Sequence, residues 1–280
     1  RKILSTSLYN GGYHDDSIDI QINVTYWTQD LQQVDAPGEG TTTVMSACVK
    51  LTDVSQFRTG FANKYPSKQA RHVNDMTKRF NAVMGIDGDY CLYHEQGIVV
   101  RNGQTLRMRP HKGRDELIVD ENGDFHLITC TTQAKWDEYI AGGGTVLHAF
   151  CFGPALVVDG VPLTSLDDVT IDNGKAKKAQ RMVIGQIGKL EYLILTNEGP
   201  ESTAPKSVGF DLVQMANLCV QFGLDNAYNL DGGSSSTIAL NNQKINSPSS
   251  HKNRMVGDCI WFATLVKEET WRETQGTENQ

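Results

Sequence analysis

The chain has 280 residues and a formal net charge of −7, with 39% hydrophobic and 21% charged residues. This balance is typical of a soluble globular protein and argues against non-specific nucleic-acid binding, which depends on clustered Lys and Arg. No apolar run reaches the roughly 18 residues that a membrane-spanning helix needs. Because the first residue is Arg1 rather than Met, we expect any signal peptide or anchor to lie upstream.

The first half of the chain is dominated by strand and hairpin patterns. Apolar and polar residues alternate from Ile18 to Tyr26, as in a half-buried strand, and Asn-Gly pairs mark two tight hairpins. Apolar residues three and four positions apart indicate an amphipathic helix that ends at Phe80. The predicted strands are 17–31, 41–51 and 82–90, the hairpins are 97–108 and 115–129, and the helices are 67–80 and 133–144.

The second half contains the clearest helix, residues 207–223, for which we predict Ser207 as the N-cap and Gly223 as the stop. The apolar run 145–163 is broken by Gly153-Pro154 and predicts one buried strand with a kink. The other predicted elements are a hairpin at 180–196, a short strand ending at Leu230, a hairpin about Asn241-Asn242 and a strand at 257–266.

Strands outnumber helices, and the two do not alternate regularly. We therefore predict the α+β class, as a single domain with a mixed, largely antiparallel sheet, hairpins and about three helices. No repeat or Pro/Ser-rich linker divides the chain. We place the domain at residues 1–266 and expect the polar tail, 267–280, to be frayed.

The six cysteines are widely separated and form no C-x-x-C pair, so the usual zinc spacing is missing. Most of them lie in apolar runs, which favours buried free thiols and leaves disulfides open.

A Gly- and Ser-rich stretch, NLDGGSSST at 229–237, joins a predicted buried strand to a hairpin. Gly232 and Gly233 can adopt positive φ and turn successive amides toward one anion, and the hydroxyls of Ser235, Ser236 and Thr237 would add donors. Asp231 would serve as an acid, a base or an acceptor for a sugar hydroxyl. An ordinary Gly/Ser turn is the alternative, and this stretch alone does not decide between the two.

Charged residues elsewhere complete the candidate site. Asp87 and Asp89 would face one site in a turn, although a solvated turn is the simpler reading of an isolated D-G-D. Arg181 and Arg254 each precede an apolar strand, so their guanidinium groups would be able to meet at one sheet end and hold a phosphate. His251 would titrate near neutrality.

Five segments carry a family resemblance. In order they are IDGDY at 86–90, FGPALVVDG at 152–160, RMVIG at 181–185, NLDGGSSST at 229–237 and RMV at 254–256. Together they resemble the phosphodiester glycosidase family, and the chain resembles its bacterial members. Three features depart from the family pattern: Asp87 replaces the usual Asn, Ser234 replaces a third Gly, and 196–202 lacks the usual Asp-Gly-Arg.

The resemblance implies hydrolysis of a glycosyl-1-phosphodiester, such as one of N-acetylglucosamine, at the bond between the anomeric carbon and the phosphate oxygen. It implies catalytic roles for Asp231, Asp89 and Arg181. We expect the substrate to be a small or polymeric carbohydrate, in a cell-wall or exopolysaccharide glycan. The residues that we expect to bind it are Asn229, Gly232, Gly233, Ser235, Ser236, Thr237, Arg254, Gly153 and Asp87.

The resemblance also implies an extracytoplasmic location, either secreted or in the cell envelope. No cofactor is required, although Asp87, Asp89 and Asp231 would be able to hold Ca²⁺ or Mg²⁺ if they converge. Two other functions stay open at this stage, a glycosidase acting on neutral glycosides and an inactive carbohydrate-binding module.

Overall fold

A computed structural model describes residues 2–167, 177–202, 206–247 and 254–267. His251 and the predicted tail beyond Lys267 lie outside these ranges. The helices are α1 (Val73–Phe80), α2 (Gln133–Ala141) and α3 (Leu212–Gln221). The strands are β1 (Lys2–Ser7), β2 (Asn10–His14), β3 (Ile18–Trp27), β4 (Gln33–Val34), β5 (Thr42–Leu51), β6 (Phe57–Phe61), β7 (Met84–Asp87), β8 (Gly97–Arg101), β9 (Gln104–Arg109), β10 (Glu116–Val119), β11 (Phe125–Ile128), β12 (His148–Phe150), β13 (Ala155–Val158), β14 (Val161–Pro162), β15 (Arg181–Gly188), β16 (Glu191–Asn197), β17 (Asn226–Asn229), β18 (Ile238–Leu240), β19 (Gln243–Lys244) and β20 (Asp258–Phe262).

These strands form three sheets, and the strand pairs within them are antiparallel. The large sheet has the order β1-β2-β3-β5-β16-β15-β17-β13-β14, with β4 paired to β3. The second sheet is β11-β10-β12-β8-β9, and the third is β19-β18-β7-β20-β6. The α+β prediction is confirmed, with the strands divided among three sheets.

The three sheets share one hydrophobic core. At its centre the ring of Phe57, from the third sheet, packs against Phe125 of the second sheet and Tyr192 of the large sheet. The centroid distances are 6.1 and 5.1 Å, the range in which edge-to-face aromatic pairs are stable. The inner face of each sheet is therefore buried by the other two.

The helices cover outer faces of the sheets. Met215 and Ala216 of α3 lie in the same buried cluster as Val183 of the large sheet. Trp136 of α2 packs on the second sheet, and Met76 of α1 packs on the third.

Two local predictions are wrong. The N-cap of α3 is Asp211, whose carboxylate accepts the Gln214 amide at 2.8 Å, whereas Ser207 accepts the Thr43 amide. The run 145–163 is not one kinked strand, because β12 belongs to the second sheet and β13 to the large sheet. The Gly153-Pro154 break is where the chain passes from one sheet to the other.

Helix α1 begins at Val73, later than the predicted segment, because Arg71 pairs with Val256 and the backbone of His72 is extended. All six cysteines are free thiols, and Cys91, Cys151, Cys219 and Cys259 are buried. In the described ranges, no helix has the length and apolar character needed to cross a membrane.

Three of the connections that carry the chain between sheets lie close together. Residues 88–96 join β7 to β8, residues 151–154 join β12 to β13, and residues 230–237 join β17 to β18. Hydrogen bonds tie them together: the Asp231 amide donates to the Gly88 carbonyl at 3.1 Å, and the Asn229 amide donates to the Pro154 carbonyl at 3.1 Å. These inter-sheet connections meet at one end of the core.

Candidate active site

A cavity of about 510 Å³ opens where the inter-sheet connections meet. All three connections contribute to its wall, together with residues preceding β15, β10 and β20. The lining residues are Tyr90, His94, Arg114, Phe152, Lys177, Lys178, Ala179, Gln180, Arg181, Pro200, Glu201, Asn229, Leu230, Asp231, Gly232, Gly233, Ser234 and Arg254. The cavity has the size of a small-molecule site.

Strand register brings Arg181 and Asp231 to the same end of the large sheet. Strands β15 and β17 are antiparallel neighbours, with Val183 opposite Asn229, and the Leu230 amide donates to the Met182 carbonyl at 2.8 Å. The start of β15 therefore lies beside the end of β17. Arg254 reaches the cavity from the residues before β20, so Arg181 and Arg254 line the same cavity.

The two glycine amides do not form the predicted anion cradle. The Gly232 amide donates to Asp231 Oδ1 at 2.8 Å, and the Gly233 amide donates to the Gln180 carbonyl at 3.0 Å. Both donors are thus used within the protein. Gly232 is needed for a different reason, since a Cβ there would lie 3.0 Å from the Gln180 carbonyl oxygen.

Asp231 lies on the cavity wall and is only 8% exposed. Burial raises its pKa to about 6, while the Ser235 hydroxyl, the Gly232 amide and the charge of Arg254 act in the opposite direction. A carboxyl group with a pKa near 6 can exchange a proton at physiological pH, as general acids and bases must.

Asp87 lies beneath the loop and is fully buried. Its Oδ1 accepts the Thr237 amide at 2.9 Å, and its Oδ2 has no hydrogen-bond partner among the described residues. Burial raises the pKa of Asp87 well above its usual value, and the charge of Asp231 adds to this effect. Asp87 therefore supports the loop from below as a neutral acid and does not line the cavity.

The predicted hydroxyl donors also lie beneath the surface of the cavity. Ser235, Ser236 and Thr237 are buried, and none of the three lines the cavity. Ser234, whose position departs from the family pattern, is the serine of this run that does line it. Direct substrate contacts by the three predicted hydroxyls are therefore not available in this geometry.

The geometry also contradicts a catalytic contact by Asp89. This carboxylate is buried away from the cavity and pairs with Arg101 Nη2 at 3.0 Å. Burial alone would raise the pKa of Asp89, but Arg101 and the Cys151 amide hold it below its usual range. Sequence reasoning missed this pair because Arg101 lies on strand β8, whereas Asp89 lies in the connection that follows β7.

Asp87, Asp89 and Asp231 do not converge as cation ligands. In the part of the chain that the structure describes, one trio of potential ligands has all its ligand atoms within 4.8 Å of one another: Asp89, Cys91 and Asp258. Arg101 Nη2 already donates to all three of these side chains. A guanidinium group thus occupies the position that a cation would need.

Asn229 lines the cavity at the end of β17. Its Nδ2 donates to the Gly153 carbonyl at 2.9 Å, and its Oδ1 has no hydrogen-bond partner in the described ranges. Gly153, at φ 72°, therefore orients Asn229 and does not itself line the cavity.

Several lining residues were missed by sequence reasoning. Arg114 and His94 lie in loops with no recognisable motif, and Lys177 and Lys178 follow an unremarkable polar segment. Tyr90 ends the IDGDY segment but was not singled out as a site residue. The cavity wall carries the cations Arg114, Arg181, Arg254, Lys177 and Lys178 and the acids Asp231 and Glu201. This excess of positive charge, in an acidic chain, favours an anionic ligand.

A sequence model of the phosphodiester glycosidase family matches residues 80–263. The chain belongs to the phosphodiester glycosidase family. The matched region contains every residue that lines the cavity and all five resemblance segments. Strands β1 to β6 precede this region and enlarge the sheets without contributing to the cavity wall.

Three solved structures share the fold of this family member. The catalytic domain of zebrafish N-acetylglucosamine-1-phosphodiester α-N-acetylglucosaminidase, auto-inhibited by its pro-peptide, matches with a TM-score of 0.67 at 13% identity, over 93% of this chain and 87% of that one. A hypothetical protein from Synechocystis matches with a TM-score of 0.57 at 14% identity, over 88% of this chain and 62% of that one. A candidate exported protein from Burkholderia pseudomallei matches with a TM-score of 0.53 at 15% identity, over 82% of this chain and 75% of that one. A search of curated proteins found no match.

Proposed function

We propose that this protein hydrolyses a glycosyl-1-phosphodiester and releases the free sugar. The observation that carries the proposal is the cavity itself, in which a carboxyl group with a raised pKa faces an excess of cationic side chains. A neutral glycoside would give these cations no partner. The zebrafish neighbour is named as an enzyme for an N-acetylglucosamine phosphodiester, which makes this sugar the first substrate to test.

The reaction requires little acid catalysis at the leaving group. Water attacks the anomeric carbon, the bond from that carbon to the phosphate oxygen breaks, and the electron pair leaves with the phosphomonoester. Because this leaving group is already stable as an anion, cationic donors matter more than protonation. We assign its stabilisation to Arg181 and Arg254.

Asp231 then acts as the base that accepts the proton of the attacking water. Its position on the cavity wall and its pKa near 6 suit this role at neutral pH. Asn229 is a proposed substrate-binding residue because it lines the cavity at the end of β17. Asp87 and Thr237 hold the loop that carries Asp231.

For this chain we also propose an extracytoplasmic location and a cell-envelope or exopolysaccharide substrate. The support is the family membership and the likeness to a candidate exported protein. Secretion of the full-length protein, followed by fractionation of the source cells, would test the location.

The proposed activity is tested by comparing N-acetylglucosamine 1-(methyl phosphate) with the matching neutral methyl glycoside, with free sugar as the readout. We expect release from the phosphodiester alone. Release from the neutral glycoside alone would indicate a different glycosidase. Saturable binding of the phosphodiester without any free sugar would indicate a binding module.

A further inference from the structure

Arg114 is a buried cation of the cavity whose guanidinium group has few partners in the protein. Its side chain is only 5% exposed, yet it lines the cavity. Nη1 donates to the Cys151 and Phe152 carbonyls at 3.3 Å each, and the buried Nε has no hydrogen-bond partner among the described residues. None of the ion pairs found in the described ranges involves Arg114.

Two other arginines nearby, the buried Arg101 and the half-buried Arg107, show how guanidinium groups are usually satisfied. Arg101 pairs with the carboxylates of Asp89 and Asp258. Arg107 donates to the carbonyls of Gly97, Cys91, His94 and Gln96 at 2.6 to 3.2 Å. A buried charge without such partners is costly, so Arg114 differs from its neighbours in a way that calls for a ligand.

The backbone holds Arg114 in place without supplying a counterion. Its amide donates to the His111 carbonyl at 2.8 Å, and its carbonyl accepts the Thr131 amide at 2.9 Å. The adjacent Asp115 carboxylate is engaged by the amides of Cys130 and Ala155. The backbone of Arg114 is thus held in place, and the Asp115 carboxylate accepts backbone amides and does not pair with the Arg114 guanidinium group.

His94 shares this side of the cavity with Arg114. Its Nδ1 lies 2.9 Å from the Gln96 carbonyl, which can only accept, so Nδ1 carries the proton. Burial lowers the pKa of His94, and the charge of Arg114 lowers it further. His94 therefore stays neutral, and Arg114 is the positive group on this side.

We propose that Arg114 binds the phosphate of the substrate directly and sets the preference for phosphodiesters over neutral glycosides. The inference rests on the proposed function for its substrate class. The fork of an arginine suits two oxygens of one phosphate, and an anion at this position would supply the missing counterion. Arg114 is thus a specificity-determining residue.

The test compares Arg114→Gln with Arg109→Gln, which removes the same charge from an exposed side chain outside the cavity. We expect Arg114→Gln to lower kcat/KM for the phosphodiester at least about ten-fold and to weaken the binding of inorganic phosphate, measured by calorimetry, by a similar factor. Arg109→Gln should change neither quantity more than about two-fold. Equal phosphate affinity in the two variants would overturn the proposal.

If Arg114→Gln does not fold, a second variant still tests the proposal. Arg114→Lys keeps the charge but loses the fork, so we expect a folded protein with a smaller loss of phosphate affinity. Wild-type phosphate affinity in this variant would contradict the forked contact. If the wild-type protein releases no sugar from the phosphodiester, the proposed function fails, whereas the phosphate-binding comparison still decides the role of Arg114.

Discussion

Three carboxyl groups on or beneath the cavity wall have different surroundings and therefore different chemistry. Asp231 borders the cavity with a pKa of about 6, Asp87 is buried and neutral beneath it, and Asp89 is buried and ionised beside Arg101. Because burial and partners decide the charge of each group, the same residue type supplies a base, a neutral support and an ion-pair partner.

Replacement of Asp231 by Asn should lower kcat for the phosphodiester by about 10²–10⁴-fold, the usual contribution of a general base. In the wild-type protein, kcat/KM should rise with pH through about 6, because the ionised form of Asp231 is the active one. Asp30→Asn, an exposed change of the same type, is the control. A pH profile that falls through 6 would assign Asp231 the role of an acid.

Asp87→Asn should preserve the fold, since Asn keeps the acceptor for the Thr237 amide. The pKa of Asp87 is raised in the folded state, so wild-type stability should fall as pH rises above the unfolded value near 3.8. The variant lacks this ionisation cost. Its melting temperature relative to wild type should therefore increase between pH 4 and pH 8, and a pH-independent difference would show that Asp87 ionises normally.

At the scale of single elements, helix α3 depends on its first turn. Asp211 and Gln214 form a reciprocal capping box, and the helix covers one face of the large sheet beneath the start of β15. Loss of the capping hydrogen bonds would weaken α3. The buried residues of α3 lie in the same cluster as Val183 of β15, the strand that begins with Arg181.

Asp211→Ala should lower the free energy of unfolding by about 1 kcal/mol, as measured by urea denaturation. Asp211→Asn should stay within a few tenths of a kcal/mol of wild type, because Asn is an equally good N-cap. An equal loss in both variants would indicate that the charge of Asp211, which interacts with Arg181, matters more than the cap.

At the scale of the whole molecule, Arg101 links the sheets beneath the cavity. It extends from β8 in the second sheet to Asp89 in the 88–96 connection and to Asp258 in the third sheet. Burial raises the pKa of Asp258 to about 8, and the charge of Asp89 contributes to this. Asp89 is therefore the ionised partner of Arg101 at neutral pH, and the protonation of Asp258 depends on both of these neighbours.

Arg101→Met should lower the free energy of unfolding by about 3–5 kcal/mol, because it leaves buried carboxyl groups without their cation. Arg109→Met, at an exposed position, should cost less than about 0.5 kcal/mol. Denaturant unfolding of both variants at pH 7 gives the comparison. A small loss for Arg101→Met would show that Asp89 and Asp258 are stabilised in another way.

The sequence by itself determined the local elements and the family. Alternating apolar residues indicated β3, Asn-Gly pairs indicated the hairpins β8–β9 and β10–β11, and the spacing of apolar residues indicated α3. These patterns are readable because they reflect contacts between residues that are near in sequence. The order of the five short segments was enough to indicate the phosphodiester glycosidases.

Only the tertiary structure decided which polar groups reach the cavity. In the folded chain Asp89 forms an ion pair with Arg101, and Arg114 lies on the cavity wall. The amides of Gly232 and Gly233 donate to acceptors within the protein. The pairing of Arg101 with Asp89 and the approach of Arg114 to Phe152 join separate elements, and the direction of a loop amide depends on what packs against it. Burial and charge pairing are properties of the assembled sheets, so spacing along the chain does not contain them.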